Sequence, residues 1–67
     1  MNNQEQKQVS EVLSSLIQEL GYEVYLTTKE ITISGSVIMP TIREMVRKAG
    51  YELIQSEYRH LVGRLPN

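Results

Sequence analysis

Few side chains in this sequence are of the types that carry out chemistry. His60 is the only histidine, and sulfur occurs only in Met1, Met39 and Met45 because the chain has no cysteine. A metal site needs several ligands that converge, and copper(I) prefers thiolate or thioether sulfur. One histidine in a strand-like segment and three scattered methionines do not supply such a set. We therefore predict no metal site and no cofactor.

Catalytic motifs are also missing from the sequence. There is no HExxH pair, no glycine-rich phosphate loop, and no serine or cysteine with the sequence signature of activation by a base. Among the glutamates, Glu11, Glu19 and Glu44 fall on the predicted solvent faces of helices. We predict that the protein is not an enzyme.

Charge and length limit the possible partners. The chain has 67 residues and a net charge of −1, which argues against a protein that mainly grips nucleic-acid phosphates. Residues 1–35 hold two lysines and five glutamates, a net −3, whereas residues 36–67 hold five basic and three acidic residues, a net +2. The first eight residues are polar, with neither the apolar core of a signal peptide nor a run long enough to span a bilayer. The sequence predicts a single cytoplasmic domain over residues 1–67, without membrane contact.

The elements that must position these side chains come in two similar units. Apolar residues recur at intervals of three and four over residues 9–20, which predicts a helix that Gly21 ends. Over residues 22–34 the period changes to two, which predicts two antiparallel strands joined by a short turn.

The second unit repeats this order. "PTIRE" predicts a helix that starts at Pro40, with Thr41 as its N-cap, and Gly50 ends this helix before the strand-like "YELIQS". An offset of 29 residues places Gly21 on Gly50 and superposes the two "GYE" triplets. Each unit alone would expose an apolar face, so the two units are predicted to share one sheet and one core. The architecture is therefore α+β.

Residues 24–54 resemble the later part of heavy-metal-associated domains, the family found in copper chaperones and metal-transporting P-type ATPases. The resemblance lies in "ITISG", in "IR" at residues 42–43 and in "AGYE" at residues 49–52. It implies a ferredoxin-like, two-layer sandwich with two helices and a four-stranded antiparallel sheet. The βαββαβ order of that fold is a doubled βαβ unit, which would explain the internal repeat.

The order of elements departs from that family, because this chain begins with a helix. The final segment "EYRHLVGRLPN" resembles the family's opening strand, so we predict that residues 58–65 pair with residues 51–56 and fill an interior position of the sheet. The resulting order αββαββ is a circular permutation, which proteins tolerate when their termini lie close together. It would open the family's metal loop, whose two cysteines are absent here, so metal binding is not carried over from the resemblance.

We interpret the protein as a small non-catalytic binding or regulatory module that resembles a heavy-metal-associated domain without its cysteines, as a natural or an engineered permutant. A protein partner would be met by basic and exposed residues of the second half. The outer strand at residues 22–28 could also pair with its copy in a homodimer. The candidate partner-binding residues are Arg43, Arg47, Lys48, Tyr58, Arg59, His60 and Arg64.

Nucleic-acid binding is the alternative. Residues 40–65 also resemble a helix-turn-helix of the SOS-repressor type, in which "PTIRE" opens the first helix and "HL" lies near the end of the second. Arg59 and Arg64 would then approach DNA, although this reading does not explain the repeated "GYE". A further alternative is an RNA-binding sheet face that stacks bases on Tyr25 and Tyr58.

Overall fold

The computed structural model describes residues 3–66, which form two helices and four strands. In chain order these are α1 (Asn3–Glu19), β1 (Glu23–Leu26), β2 (Glu30–Ser34), α2 (Pro40–Lys48), β3 (Glu52–Ser56) and β4 (His60–Arg64). The strands form one antiparallel sheet in the order β1-β2-β4-β3. This confirms the predicted α+β, ferredoxin-like sandwich in the order αββαββ, with the last strand in the interior of the sheet.

Both helices end in the same hydrogen-bonded motif. Gly21 and Gly50 have φ values of 100° and 107°, in the left-handed region that favours glycine. In each case the glycine N–H and the N–H of the following tyrosine donate to carbonyl groups three and five residues earlier. The repeated "GYE" therefore marks two equivalent helix ends.

The core lies between the helices and one face of the sheet. Alternation along the strands directs Ile31 and Ile33 of β2 and Leu61 of β4 to this face, where all three are fully buried. Ile17 of α1 and Val46 of α2 cover them and are also fully buried. Among residues 3–66, no helix covers the opposite face of the sheet.

Gly63 of β4 allows α2 to approach the sheet closely. A Cβ atom at this position would lie 3.0 Å from Val46 Cγ1, 3.0 Å from Tyr51 Cβ and 3.2 Å from Ile31 Cγ2. Protein interiors are packed too densely to relax around contacts this short without cost. Glycine is thus required here for its lack of a side chain.

Two local predictions are wrong. Thr41 is not the N-cap of α2, because the helix begins at Pro40 and Met39 occupies the cap position without a side-chain hydrogen bond. Proline lacks an N–H and suits the first helical position, so it begins the helix before the threonine is reached. Tyr58 lies in the turn between β3 and β4 and not in a strand.

The helix-turn-helix alternative is not compatible with this architecture. Residues 52–56 and 60–64 are strands, and they occupy the part of the chain that would have to supply the second helix. Residues 40–65 therefore form one helix and a hairpin.

Strand β3 contains a bulge that changes the offset between the two units. Leu53 pairs with Gly63, but the next residue paired with β4 is Gln55, opposite Val62, so Ile54 is an extra residue. Equivalent positions of the two units are therefore 29 residues apart before Ile54 and 30 residues apart after it.

The two hairpin turns show this second offset. Thr27 N–H donates to Glu30 O at 2.9 Å in the first turn, and Glu57 N–H donates to His60 O at 2.8 Å in the second. These residues occupy equivalent positions 30 apart, so the repeat continues through the strands that follow.

Candidate interaction surface

The β2–α2 loop and the β3–β4 turn meet at one end of the molecule. The backbone N–H of Ile38 donates to Tyr58 O at 2.9 Å, and the side chain of Ile38 is buried in the core. The side chains on either side remain in solvent: Val37 is 40% exposed, Met39 is 56% exposed, and Tyr58 in the facing turn is 68% exposed. Burial of Ile38 thus fixes the loop while its apolar neighbours point outward.

Arg43 ties α2 to the same turn. Its Nη2 donates to Glu57 O at 2.7 Å, and its Nη1 donates to Ser56 Oγ. These charge-assisted bonds hold the end of β3 against the first turn of α2. Arg59, two residues beyond Glu57, is exposed. We refer to the following set as the turn-end surface: Val37, Met39, Arg43, Tyr58 and Arg59.

Tyr22 stabilises the loop from the side of α1. Its ring is buried and its hydroxyl donates to Val37 O at 2.6 Å. Because α1 ends just before Tyr22, the exposed side chain of Leu20 also lies at this end of the molecule. Among residues 3–66, four of the eight exposed large apolar side chains are therefore gathered here. Such a concentration is typical of an interaction surface.

The predicted partner-binding residues do not form one surface. Arg43, Tyr58 and Arg59 lie together at the turn end. His60 follows them but begins β4 on the open face of the sheet, opposite Ser34. Lys48 is exposed at the far end of α2.

The other two predicted residues form ion pairs. Arg47 Nη1 lies 3.3 Å from Glu44 Oε1 on the exposed side of α2. Arg64 Nη2 and Nε lie 2.6 Å and 2.8 Å from Glu30 Oε2, across the β2–β4 pair. Exposed pairs of this kind contribute little to stability. They do reduce the positive charge that each arginine offers to a partner.

The open face of the sheet is acidic. Strand alternation and register place Glu23, Glu30 and Glu52 on this face, with Arg64 as the basic side chain among them. Three carboxylates beside one guanidinium disfavour a phosphate backbone. Tyr25 is 73% exposed on this face. The two tyrosines predicted to stack bases therefore do not share a face, since the other lies in a turn.

A cleft of about 600 Å³ opens at the opposite end of the molecule, between the start of α1 and the β1–β2 turn. Asn3 and Leu65 both line it, so the two ends of the described chain come together there. Lys7, Glu11 and Lys29 also line the cleft. These charges are of mixed sign and do not select a ligand of one charge. The proximity of the chain ends is what a permuted order requires.

A buried polar cluster joins α1 to the end of α2. Ser10 is 5% exposed, and its Oγ is hydrogen-bonded to Tyr51 Oη at 2.6 Å and to Gln6 Nε2 at 3.1 Å. Gln6 Nε2 also donates to Ala49 O at 3.0 Å. Neither tyrosine nor glutamine is a base that would activate the serine. We interpret the cluster as structural, because each buried polar atom in it has a partner.

Metal ligands are dispersed in the part of the chain that the structure describes. Residues 3–66 contain no group of three histidine, cysteine, aspartate or glutamate side chains that could hold a metal ion. Met39 is exposed at the turn end, whereas Met45 packs against the core. Met1 lies outside the described residues.

Neither α1 nor α2 has the length and apolar character needed to cross a membrane.

Comparison of the chain with protein-family models, with curated proteins and with solved structures finds no match. The resemblance to heavy-metal-associated domains thus remains a prediction. Sequence reasoning missed Val37 and Met39 as surface residues. The run "SVIMP" could have indicated them. It contains three consecutive apolar residues, and a short loop can bury the side chain of only one of the three.

Proposed function

We propose that the protein is a small non-catalytic binding module that recognises an acidic, partly apolar segment of a protein partner through the turn-end surface. The observation that carries this proposal is the hydrogen bond from Ile38 to Tyr58 O. With the bonds of Arg43, it holds aliphatic, aromatic and cationic side chains on one ordered surface. Tyrosine, methionine and arginine are enriched in protein interfaces, and an ordered surface loses less entropy on binding.

Charge favours an acidic partner. The turn-end surface carries the guanidinium groups of Arg43 and Arg59. The nearby carboxylate of Glu57 accepts a hydrogen bond from Gln55 Nε2 at 2.9 Å, which directs it along β3. Carboxylates on a partner would increase the rate of association and fix its orientation.

We also propose that the chain is a cysteine-free, circularly permuted relative of heavy-metal-associated domains, acting in the cytoplasm. Moving the first strand of a βαββαβ chain to its end would give the sheet order β1-β2-β4-β3. The position of Asn3 and Leu65 on one cleft supports such a rearrangement. Self-association through an outer strand is part of this proposal, and β1 is the outer strand without a bulge.

Selection from a library of displayed peptides on the purified protein tests the binding function. Peptides with acidic residues beside aliphatic ones should be enriched, and they should shift amide resonances of residues 37–39 and 57–59. Tyr58→Ala should weaken binding about tenfold or more, as expected for an aromatic residue at the centre of an interface. Arg59→Glu should weaken it most at low salt.

Arg64→Glu is the matched control, because Arg64 is an exposed arginine at the other end of β4 and should not affect affinity. The proposal is wrong if no peptide is enriched, or if the enriched peptides bind equally well to the Tyr58→Ala variant.

A further inference from the structure

Within the described residues 3–66, the outer edge of β1 presents unpaired backbone groups in a defined pattern. Leu65 N–H donates to Lys29 O at 2.8 Å. Because hydrogen bonds alternate along an antiparallel pair, the odd-numbered residues of β2 also bond to β4. The even-numbered residues of β2 bond to β1, and the register pairs one of them with Tyr25. Val24 and Leu26, on either side of Tyr25, therefore direct their N–H and C=O groups to the free edge.

The other edge of the sheet is obstructed. Strand β3 bulges at Ile54, which bends the strand and breaks the regular spacing of its outer groups. Arg43 also occupies Glu57 O and Ser56 Oγ at the end of β3. Strand β1 has no bulge, no proline and no lysine. It is the edge at which a further strand can add.

We propose that β1 pairs antiparallel with β1 of a second copy of this chain, about a twofold axis at Tyr25, so that one sheet spans both copies. In this register Val24 lies opposite Leu26 of the second copy, and the reverse, which gives about four hydrogen bonds between the strands. Residues that face each other also share a sheet face, because their positions differ by an even number. The half-buried side chains of Val24 and Leu26 would then be buried further on the core side.

The side chains on the open face fit this arrangement. Tyr25 meets its own copy at a position without hydrogen bonds, where Cβ atoms lie about 4.5–5.5 Å apart and aromatic pairs are favourable. Tyr25, which is 73% exposed, would thus become partly buried against its copy. Glu23 faces Thr27 of the second copy, so no two carboxylates oppose each other.

An axis at Val24 is less favourable. It would place Leu26 opposite Tyr22 of the second copy, but the N–H of Tyr22 already donates to Ile17 O at 3.4 Å. It would also place Tyr25 opposite Glu23 and leave the aromatic rings unpaired. Of these two registers, the one with its axis at Tyr25 leaves the edge groups free to pair and brings the aromatic rings together.

Charge substitution at the axis gives the test. In Tyr25→Lys and in Tyr25→Glu, two like charges would face each other, so each variant should self-associate at least about tenfold more weakly than the wild type. An equimolar mixture of the two variants brings opposite charges together and should restore association as a heterodimer. Sedimentation velocity over a concentration series measures all three samples, and circular dichroism confirms that the variants remain folded.

Tyr58→Lys is the matched control, because Tyr58 is similarly exposed but lies on the turn-end surface; it should self-associate like the wild type. The proposal is overturned if the wild type sediments as a monomer up to its solubility limit. That result is expected if β1 pairs only with a strand of a different protein. It is also overturned if mixing the two charged variants fails to restore association. The inference rests on the self-association included in the proposed function, which either result would also remove. Neither result bears on peptide binding by the turn-end surface.

Discussion

Thr32 of β2 and Val62 of β4 are paired across the centre of the sheet, and they are also equivalent residues of the two units, 30 positions apart. The same 30-residue equivalence converts each of the remaining β2–β4 pairs into another pair of that ladder. A pseudo-twofold axis therefore passes through the Thr32–Val62 pair and relates α1, β1 and β2 to α2, β3 and β4. The two "GYE" triplets are one consequence of this symmetry.

The buried hydroxyl pair between the two units should be energetically coupled. Ser10→Ala leaves the hydroxyl of Tyr51 without this partner, and we expect the free energy of unfolding to fall by about 1–3 kcal/mol. Tyr51→Phe should have a similar effect. The double variant should lose clearly less stability than the sum of the two single losses, because both substitutions remove the same hydrogen bond.

Urea denaturation of the four proteins measures this coupling. Tyr58→Phe is the control, since it removes a hydroxyl from an exposed tyrosine outside the β1 edge and should leave stability unchanged. Strictly additive losses for Ser10 and Tyr51 would show that their bond does not stabilise the fold.

Substitution of Gly63 should destabilise the protein by overpacking. Gly63→Ala places a methyl group about 3.0 Å from Val46 and Tyr51, and we expect a loss of about 1–3 kcal/mol. Gly21 is the contrasting position, because a Cβ there meets no atom within 4 Å and only its φ of 100° favours glycine. Asparagine tolerates that φ, so Gly21→Asn should cost less than Gly63→Asn. Thermal unfolding compares them, and equal losses at both sites would contradict close packing at Gly63.

Rejoining the chain in the order of the ferredoxin-like fold should preserve the structure. A short glycine–serine linker from residue 67 to residue 1, with new termini between Tyr58 and Arg59, gives the order β4-α1-β1-β2-α2-β3. Because Asn3 and Leu65 line one cleft, we expect the linker to be unstrained. Amide resonances of core residues should change little. Loss of the folded spectrum would mean that the ends lie too far apart. New termini between Ile42 and Arg43, inside α2, are the control that should not fold.

Titration with copper(I) and zinc(II) should show only weak binding. The chain has no thiolate, and His60, Met39 and Met45 lie on the open face, at the turn end and against the core, respectively. Competition with a chromophoric chelator measures the affinity. His60→Ala should give the same titration curve as the wild type. Stoichiometric binding that this substitution abolishes would contradict the prediction.

The sequence predicted most of the fold because its signals are local and repeated. Glycines that end both helices, the change of period after Gly21 and the alternation in the strands all depend on neighbouring residues. The interior place of β4 was predicted from the family resemblance. The bulge at Ile54 was not predicted, since it depends on how β3 matches β4 and not on any turn residue.

The candidate surface was only partly predicted. Charge and aromatic type identified Arg43, Tyr58 and Arg59, but their proximity depends on hydrogen bonds between distant parts of the chain. Apolar residues at intervals of three and four predicted α1, but that spacing did not show which of them are buried: Val12 and Leu16 are exposed. The stripe is wider than the contact that a sheet and one short neighbouring helix can cover.

The extra residue at Ile54 makes the two borders of the sheet unequal. If both borders were regular, β1 of one molecule could add to β3 of the next, and a head-to-tail contact of this kind would extend without limit into a fibre. With the border at β3 bent, the joining of β1 to β1 that we propose would be complete after two molecules. One inserted residue would then disfavour open-ended assembly of this chain.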